Sequence, residues 1–206
     1  ILVKNPIDLL VRTIRLEATN ILSFELVHPK GEALPTVAAG AHVDVHLPGG
    51  LVRSYSLAGN PHDRSRWLLG VLREANGSGG SRTMHERVRV GGSLRVNAPR
   101  NAFPLAPEAR HSILLAGGIG VTPIKAMAHV LCEAGASFEV HYCARTPANV
   151  AFGDEFKAIV PEGQLHWHFD QGDPTKGLDI SLLLADPAPG THVYFCGPSG
   201  FMGACE

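Results

Sequence analysis

Four short stretches hold residue types able to bind an anion or border a redox centre. In Leu114-Leu115-Ala116-Gly117-Gly118-Ile119-Gly120-Val121-Thr122-Pro123 an apolar run breaks into glycines and resumes with threonine and proline. It reads as a buried strand, a tight turn, and a helix with Pro123 in its first turn, where a missing N–H leaves no intrahelical bond unmade. The N–H groups and positive dipole end of such a helix attract a phosphate or pyrophosphate. The spacing is not G-x-G-x-x-G, so this stretch alone equally fits a plain strand-to-helix turn. Ser78-Gly79-Gly80-Ser81-Arg82-Thr83, ahead of Met84-His85-Glu86-Arg87-Val88, is a second candidate phosphate cradle, with backbone N–H groups and a charge from Arg82. Ser81 is the expected N-cap, and Met84 and Val88 share a helix face, so a capped surface helix is the competing reading. The other two stretches are Arg53-Ser54-Tyr55-Ser56 and Cys196-Gly197-Pro198.

These residues need elements to hold them. With 206 residues, 45% hydrophobic, 18% charged and a net charge of -1, the chain has the composition of a soluble protein of one large or two modest domains. Near-neutral charge gives no electrostatic reason to expect nucleic acid or an anionic membrane as partner. No apolar run approaches the roughly 20 residues of a membrane span, and no charged-then-apolar segment opens the chain, so a cytoplasmic location is expected. Ile1 and Glu206 both read as cut ends.

The 23 glycines and 15 prolines favour strands and turns. Residues 9–17, 22–28, 41–47, 51–57, 67–73 and 93–97 read as six short strands, the third and fourth joined into a hairpin by Pro48-Gly49-Gly50. One helical insertion at 84–88 interrupts them, which suggests a small closed or nearly closed antiparallel barrel. The proline-rich piece 99–107 reads as an ordered linker. Beyond it strands at 113–116, 138–143, 165–169 and 192–196 alternate with helices at 123–133, 149–159 and 180–184, the pattern of a parallel sheet with covering helices. The expected domains are 1–103 and 104–206. Ligands of such sheets lie at the carboxyl ends of the strands, where Gly117 to Gly120, Ala144 to Thr146 and Gly197 to Pro198 fall.

Cys132, Cys143, Cys196 and Cys205 match neither a zinc ribbon nor an iron-sulfur ligand run and read as reduced thiols. His42, Asp44 and His46 alternate on one strand, yet a polar strand face is the better reading than a metal site. His141, His166 and His168 read as satisfied structural residues. No metal is expected.

Arg53-x-Tyr55-Ser56, Gly79-Gly80-Ser81, Gly117-Gly118-Ile119-Gly120-x-Thr122-Pro123 and Cys196-Gly197-Pro198 follow one another in the order of the ferredoxin-NADP reductase superfamily. Within it the chain most resembles the reductase components of Rieske-type aromatic oxygenases, the phthalate dioxygenase reductase and vanillate O-demethylase reductase type. The resemblance covers essentially the whole chain. It implies a flavin-binding barrel followed by a domain for a nicotinamide dinucleotide.

Carried over residue by residue, it implies that Tyr55 lies against a flavin ring and that Ser56 directs its hydroxyl or N–H at the flavin N5. Arg53 pairs with the flavin phosphate, Ser54 belongs to the same motif, and Gly79, Gly80 and Ser81 hold that phosphate from the other side. Val71 and Leu72 offer backbone groups to the ring edge. Gly117, Gly118 and Gly120 let the dinucleotide's pyrophosphate approach, with Thr122 and Pro123 beside it and Arg145 on the loop after the second sheet strand. Cys196, Gly197 and Pro198 line the nicotinamide pocket. Ser56, Thr122 and Cys196 border the reacting atoms, Cys196 as a positioning residue and not a nucleophile.

The reaction implied is hydride transfer from NADH to flavin without a general base, then release of single electrons. The acceptor in these relatives is a [2Fe-2S] centre in a ferredoxin domain that serves a Rieske oxygenase. Such a domain is expected beyond residue 206, along with the family's final helix and strand. The glycine loop resembles that of members holding FMN rather than FAD, and the loop after the second sheet strand favours NADH over NADPH. Two other readings stay open: a free-standing flavin reductase, and a non-catalytic dinucleotide-binding module. The oxygenase, its aromatic substrate and the oligomeric state are not legible.

Overall fold

In the computed structural model, which describes residues 6–206, burial alternates with the apolar-polar pattern along residues 41–46 and 93–96. Residue contacts divide the chain into two units, Ile1–Pro104 and Leu105–Glu206.

In the first unit β1 (Ile7–Ala18), β2 (Ile21–Val27), β3 (Ala41–His46), β4 (Val52–Ser56), β5 (Trp67–Leu72) and β6 (Ser93–Val96) pair antiparallel in the order β4-β3-β6-β1-β2-β5. A bridge between Leu57 and Leu69, with the Ala58 N–H donating to the Leu68 carbonyl at 2.8 Å, joins the two ends of that path and closes the barrel. Closure pairs the two ends of the sheet with each other instead of leaving them as free edges. On β3, Ala41, Val43 and Val45 point inward and His42, Asp44 and His46 outward, the period-2 rule of a strand. Inside, Leu9, Val11, Phe24, Leu26, Val43, Val45, Leu69 and Val96 are fully buried, each contributing about 1.5–3 kcal/mol. Helix α1 (Gly80–Arg87) adds Met84 to that core.

Two sequence expectations change here. The stretch 99–107 is not linker throughout, because Arg100–Asn101 forms a short strand, β7, paired with Ala41 and His42 of β3. The N-cap of α1 is Gly79 in the left-handed region (φ 89) and not Ser81, which lies inside the helix with its hydroxyl accepting from the Glu74 N–H at 3.1 Å.

In the second unit β8 (His111–Gly117), β9 (Phe138–Ala144), β10 (Leu165–Phe169) and β11 (Thr191–Cys196) are parallel in the order β10-β9-β8-β11. Six of the seven β8 residues are buried, as a strand covered on both faces requires. The covering helices are α2 (Val121–Glu133), α3 (Gly153–Ile159), α4 (Ile180–Leu183) and α5 (Ser199–Cys205). Ile113 and Leu115 pack with Ile180, Phe195 and Phe201. The expected helix over 149–159 is broken: Pro147–Asn149 is a single 3-10 turn, and Phe152 takes a left-handed conformation (φ 59) before α3 starts. After β11 a further helix, α5, follows the Gly197-Pro198 turn. Among the described residues no helix is long and apolar enough to cross a membrane.

Candidate functional site

In the first unit, β4 faces β3 in a register that sets Tyr55 opposite Val43 and Arg53 opposite Val45. Directly opposed residues share a sheet face, so Arg53 and Tyr55 lie on the side of the core while Ser54 and Ser56 lie on the other with Asp44 and His42. Arg53 runs across the start of α1. Its guanidinium donates to the Ser78 carbonyl at 3.0 Å, the Ser78 hydroxyl at 2.8 Å and the Val52 carbonyl at 2.7 Å. A Cβ on Gly80 would stand 2.4 Å from the Arg53 Cγ, so the glycine is what lets the side chain pass. The structure thus brings together Arg53 and the Gly79-Gly80-Ser81 loop, and the helix end between them has no side-chain cap and no acidic residue in its first turn. Donors, a cation and an uncapped helix dipole meet there, the ingredients of an anion site.

Tyr55 is half-buried against the barrel core. Burial pushes its hydroxyl up to about 12, with Arg53 pulling down and Glu74 pushing up, so it stays a neutral donor on a flat apolar face. Ser54 is committed elsewhere: its hydroxyl donates to Asp44 at 2.6 Å, and Arg100 donates to the other Asp44 oxygen at 2.6 Å. The Ser54 hydrogen bond, helped by Arg100, holds the Asp44 carboxyl below its ordinary value. His46 meets Asn97 at 2.8 Å, so this face of β3 is a polar surface held by its own partners. The Val71 carbonyl already meets a ring nitrogen of His85 at 2.9 Å, while Leu72 closes β5 half-buried. Arg82 lines a cleft of about 580 Å³ with Asn20, Arg73, Glu74, Ala75 and Glu86; Arg53, Tyr55 and Ser56 are not among its walls. In that cleft Arg73 is paired with Glu86 at 2.6 Å.

In the second unit the glycine turn is one turn of 3-10 helix, Gly118–Gly120, entered from β8 and continued by α2. Gly118 takes φ 53 with open space where a Cβ would point. A Cβ on Gly120 would sit 2.0 Å from the Cys196 carbonyl oxygen and 2.5 Å from the Gly197 nitrogen. The turns after β8 and β11 therefore touch backbone to backbone. Pro123 is the third residue of α2, inside its first turn, where no side chain caps and no acid stands. The buried Thr122 hydroxyl donates to the Ile119 carbonyl at 3.1 Å and braces the turn. Arg145 is exposed just beyond β9.

Burial pushes the half-buried Cys196 thiol up, which keeps it protonated and unreactive, although the Gly197 backbone pulls the other way. Pro198 precedes α5, with its carbonyl accepting the Met202 N–H at 2.9 Å.

One residue here was not foreseen. The ring of Phe201 on α5 lies 2.6 Å from where a Gly197 Cβ would be and 2.9 Å from a Gly117 Cβ, so it covers both turns. Behind the turn, Lys125 of α2 is buried with its ammonium 2.6 Å from Glu155 and 5.2 Å from the centre of the Phe152 ring.

Comparison with known proteins follows the same division. Residues 114–206 match the oxidoreductase NAD-binding domain family. The chain is 47% identical over 202 residues to the tert-butanol monooxygenase / tert-amyl alcohol desaturase reductase subunit of Aquincola tertiaricarbonis, covering 98% of this chain and 60% of that protein. It is 49% identical over 196 residues to the vanillate O-demethylase oxidoreductase of Pseudomonas putida, covering 95% and 61%. The solved structure of phthalate dioxygenase reductase superposes with a TM-score of 0.92 at 39% identity, covering 96% of this chain and 62% of that one. The chain spans about three fifths of the length of these relatives.

Proposed function

We propose that the chain, similar over nearly its whole length to phthalate dioxygenase reductase and vanillate O-demethylase oxidoreductase, is the flavin- and NADH-binding part of an oxygenase reductase of that type. The observation that carries the reading is Arg53 lying across Gly80 at the uncapped start of α1, with Tyr55 two residues along the same strand face. A phosphate-bearing flat cofactor fits that pair of features, a cation-and-dipole cradle for the anion and an aromatic face for the ring. The flavin, taken as FMN, supplies the conversion of two-electron to one-electron chemistry when bound.

The chain's own residues bind and orient. Arg53 offers a planar fork to the phosphate, which an ammonium cannot match. Gly79 and Gly80 bring backbone N–H groups to the same anion. The Tyr55 hydroxyl stays protonated across the physiological range, so the aromatic face brings no charge to the ring. Ser56, which ends β4, turns its side chain to the face opposite Tyr55, so in this reading it meets the reactive edge of the ring through its backbone N–H, and Val71 and Leu72 border the ring with backbone.

In the second unit the turn 117–120 receives the pyrophosphate of NADH against the N-terminus of α2, with Thr122 and Pro123 forming its first turn and Arg145 beyond β9. Cys196, Gly197 and Pro198 border the nicotinamide, the neutral Cys196 thiol acting as a shape-filling neighbour. The onward acceptor is a [2Fe-2S] centre outside these residues, which passes electrons to a Rieske-type oxygenase acting on an aromatic substrate. The test is an absorbance spectrum before and after anaerobic NADH, followed by chromatography of the released cofactor. A yellow protein that bleaches with NADH and releases FMN is expected. A colourless protein that neither FMN nor FAD reconstitutes would overturn the reading.

A further inference from the structure

One face of the parallel sheet gathers imidazoles around one carboxylate. Glu139 of β9 has its Oε1 3.6 Å from His141 Nε2 and its Oε2 3.6 Å from His166 Nε2 of β10, and His111 Nε2 of β8 approaches Oε1 at 3.9 Å. The parallel register explains the convergence. His141, two residues from Glu139 and so on the same face, pairs with His166, which aligns three side chains from two adjacent strands.

We propose that Glu139, His141 and His166 form a binding site for a divalent transition metal of the zinc class. Their donor atoms all lie within 4.8 Å of one another. An ion holding N and O ligands at about 2.0–2.1 Å separates them by roughly 3.3–3.4 Å at tetrahedral angles, so each imidazole stands close to that spacing from one Glu139 oxygen, at 3.6 Å, and closing the 4.8 Å span of the whole set onto one ion asks for side-chain shifts of about an ångström.

A second observation points to a ligand. The His141 side chain is 7% exposed, and its Nε2 is fully buried without a hydrogen-bond partner. The Glu139 oxygen nearest to it is too far for a hydrogen bond. Its other nitrogen is engaged, since His141 Nδ1 meets His168 Nε2 at 3.0 Å. In the tautomer whose Nδ1–H donates to His168, the lone pair of Nε2 is aimed into the cluster, the arrangement that an outer hydrogen bond fixes in metal-binding histidines. The His141 ring stacks on His166 at 4.7 Å between centres and 24° between planes. His111 or water completes the set, and a bound ion ties β10, the edge strand, to β9.

The test is calorimetric titration of the protein with Zn²⁺ alone, repeated on Glu139→Gln, His166→Gln and Cys143→Ser. Glu139 and His166 are partly exposed, so their variants keep the fold, which far-UV circular dichroism checks. One saturable Zn²⁺ per chain is expected, weakened at least about tenfold in each of the first two variants, the scale on which even outer-shell partners act, and unchanged in Cys143→Ser. Absence of saturable binding, affinity that survives both Glu139→Gln and His166→Gln, or loss in Cys143→Ser would each overturn the site.

Discussion

A Cβ added to Gly120 would lie 2.0 Å from the carbonyl oxygen of Cys196, so the glycine turn after β8 and the Cys-Gly-Pro turn after β11 are held in backbone contact. No side-chain rotation can relieve that overlap, because both partners are main chain. Gly120→Ala is therefore expected to cost at least about 3 kcal/mol, the upper end of ordinary single substitutions, and to abolish NADH-dependent dye reduction. Gly118→Ala makes the contrast: its φ of 53 costs roughly 1–2 kcal/mol, but its Cβ enters open space. Thermal unfolding and steady-state rates of the two variants check this; equal melting temperatures would defeat the contact argument.

Arg53 spans 25 residues of sequence to meet Ser78. If it also meets the flavin phosphate, Arg53→Ala loses charge-assisted hydrogen bonds that are each worth about 1.5–3 kcal/mol. FMN affinity is then expected to fall about 10- to 100-fold, with Arg53→Lys falling between wild type and alanine because it keeps charge but loses the fork. Fluorescence titration of the apoprotein with FMN measures it. Unchanged affinity in Arg53→Ala would remove the arginine from the site.

Much of this was legible beforehand because local chemistry agreed with the tertiary outcome. The glycine turn, the hairpin at Pro48-Gly49-Gly50 and the barrel-then-sheet order each follow from residues close in sequence. What was not legible depends on partners far away. Arg100 and Asn101 look like linker until His42 and Ala41 are seen to pair with them. Helix α5 is rich in glycine and has weak intrinsic propensity, and packing of Phe201 against Gly117 and Gly197 supports it. Ser81 suits an N-cap by type, yet a glycine at φ 89 one residue before α1 starts the helix and frees the serine for Glu74. The histidines read as satisfied because only the β9–β10 register shows His141 Nε2 facing Glu139 without a bond.

Lys125 and Glu155 form a pair with one end buried and the other at the surface. Removing only the carboxylate leaves a buried ammonium, so Glu155→Ala is expected to cost about 2–3 kcal/mol, below the 3–5 typical of fully buried pairs because Glu155 reaches water. Lys125→Met removes the charge and keeps an unbranched apolar chain against Phe152, and is expected to be near neutral. Chemical denaturation of both variants and of the double variant reads the coupling. A Lys125→Met more damaging than Glu155→Ala would show that the ammonium itself stabilises the helix pair.

His129, half-buried on α2, is held below the ordinary imidazole value first by burial and then by the Lys125 ammonium, with Glu133 and Glu155 pulling the other way. The unfolded chain takes up this proton near 6.5, and the folded chain takes it up only at lower pH. Below 6.5 the unfolded state thus binds more protons than the folded one, and stability falls as the pH falls; above 6.5 neither state is protonated and the contribution is constant. His129→Gln removes the titrating group without changing the size of the side chain much. From about pH 7.5 to about pH 5.5 the wild type is expected to lose more stability than His129→Gln, read as a larger drop in urea midpoint at unchanged slope. If the two lose stability in parallel, the proton is taken up equally in both states and the burial of His129 has no linkage to folding.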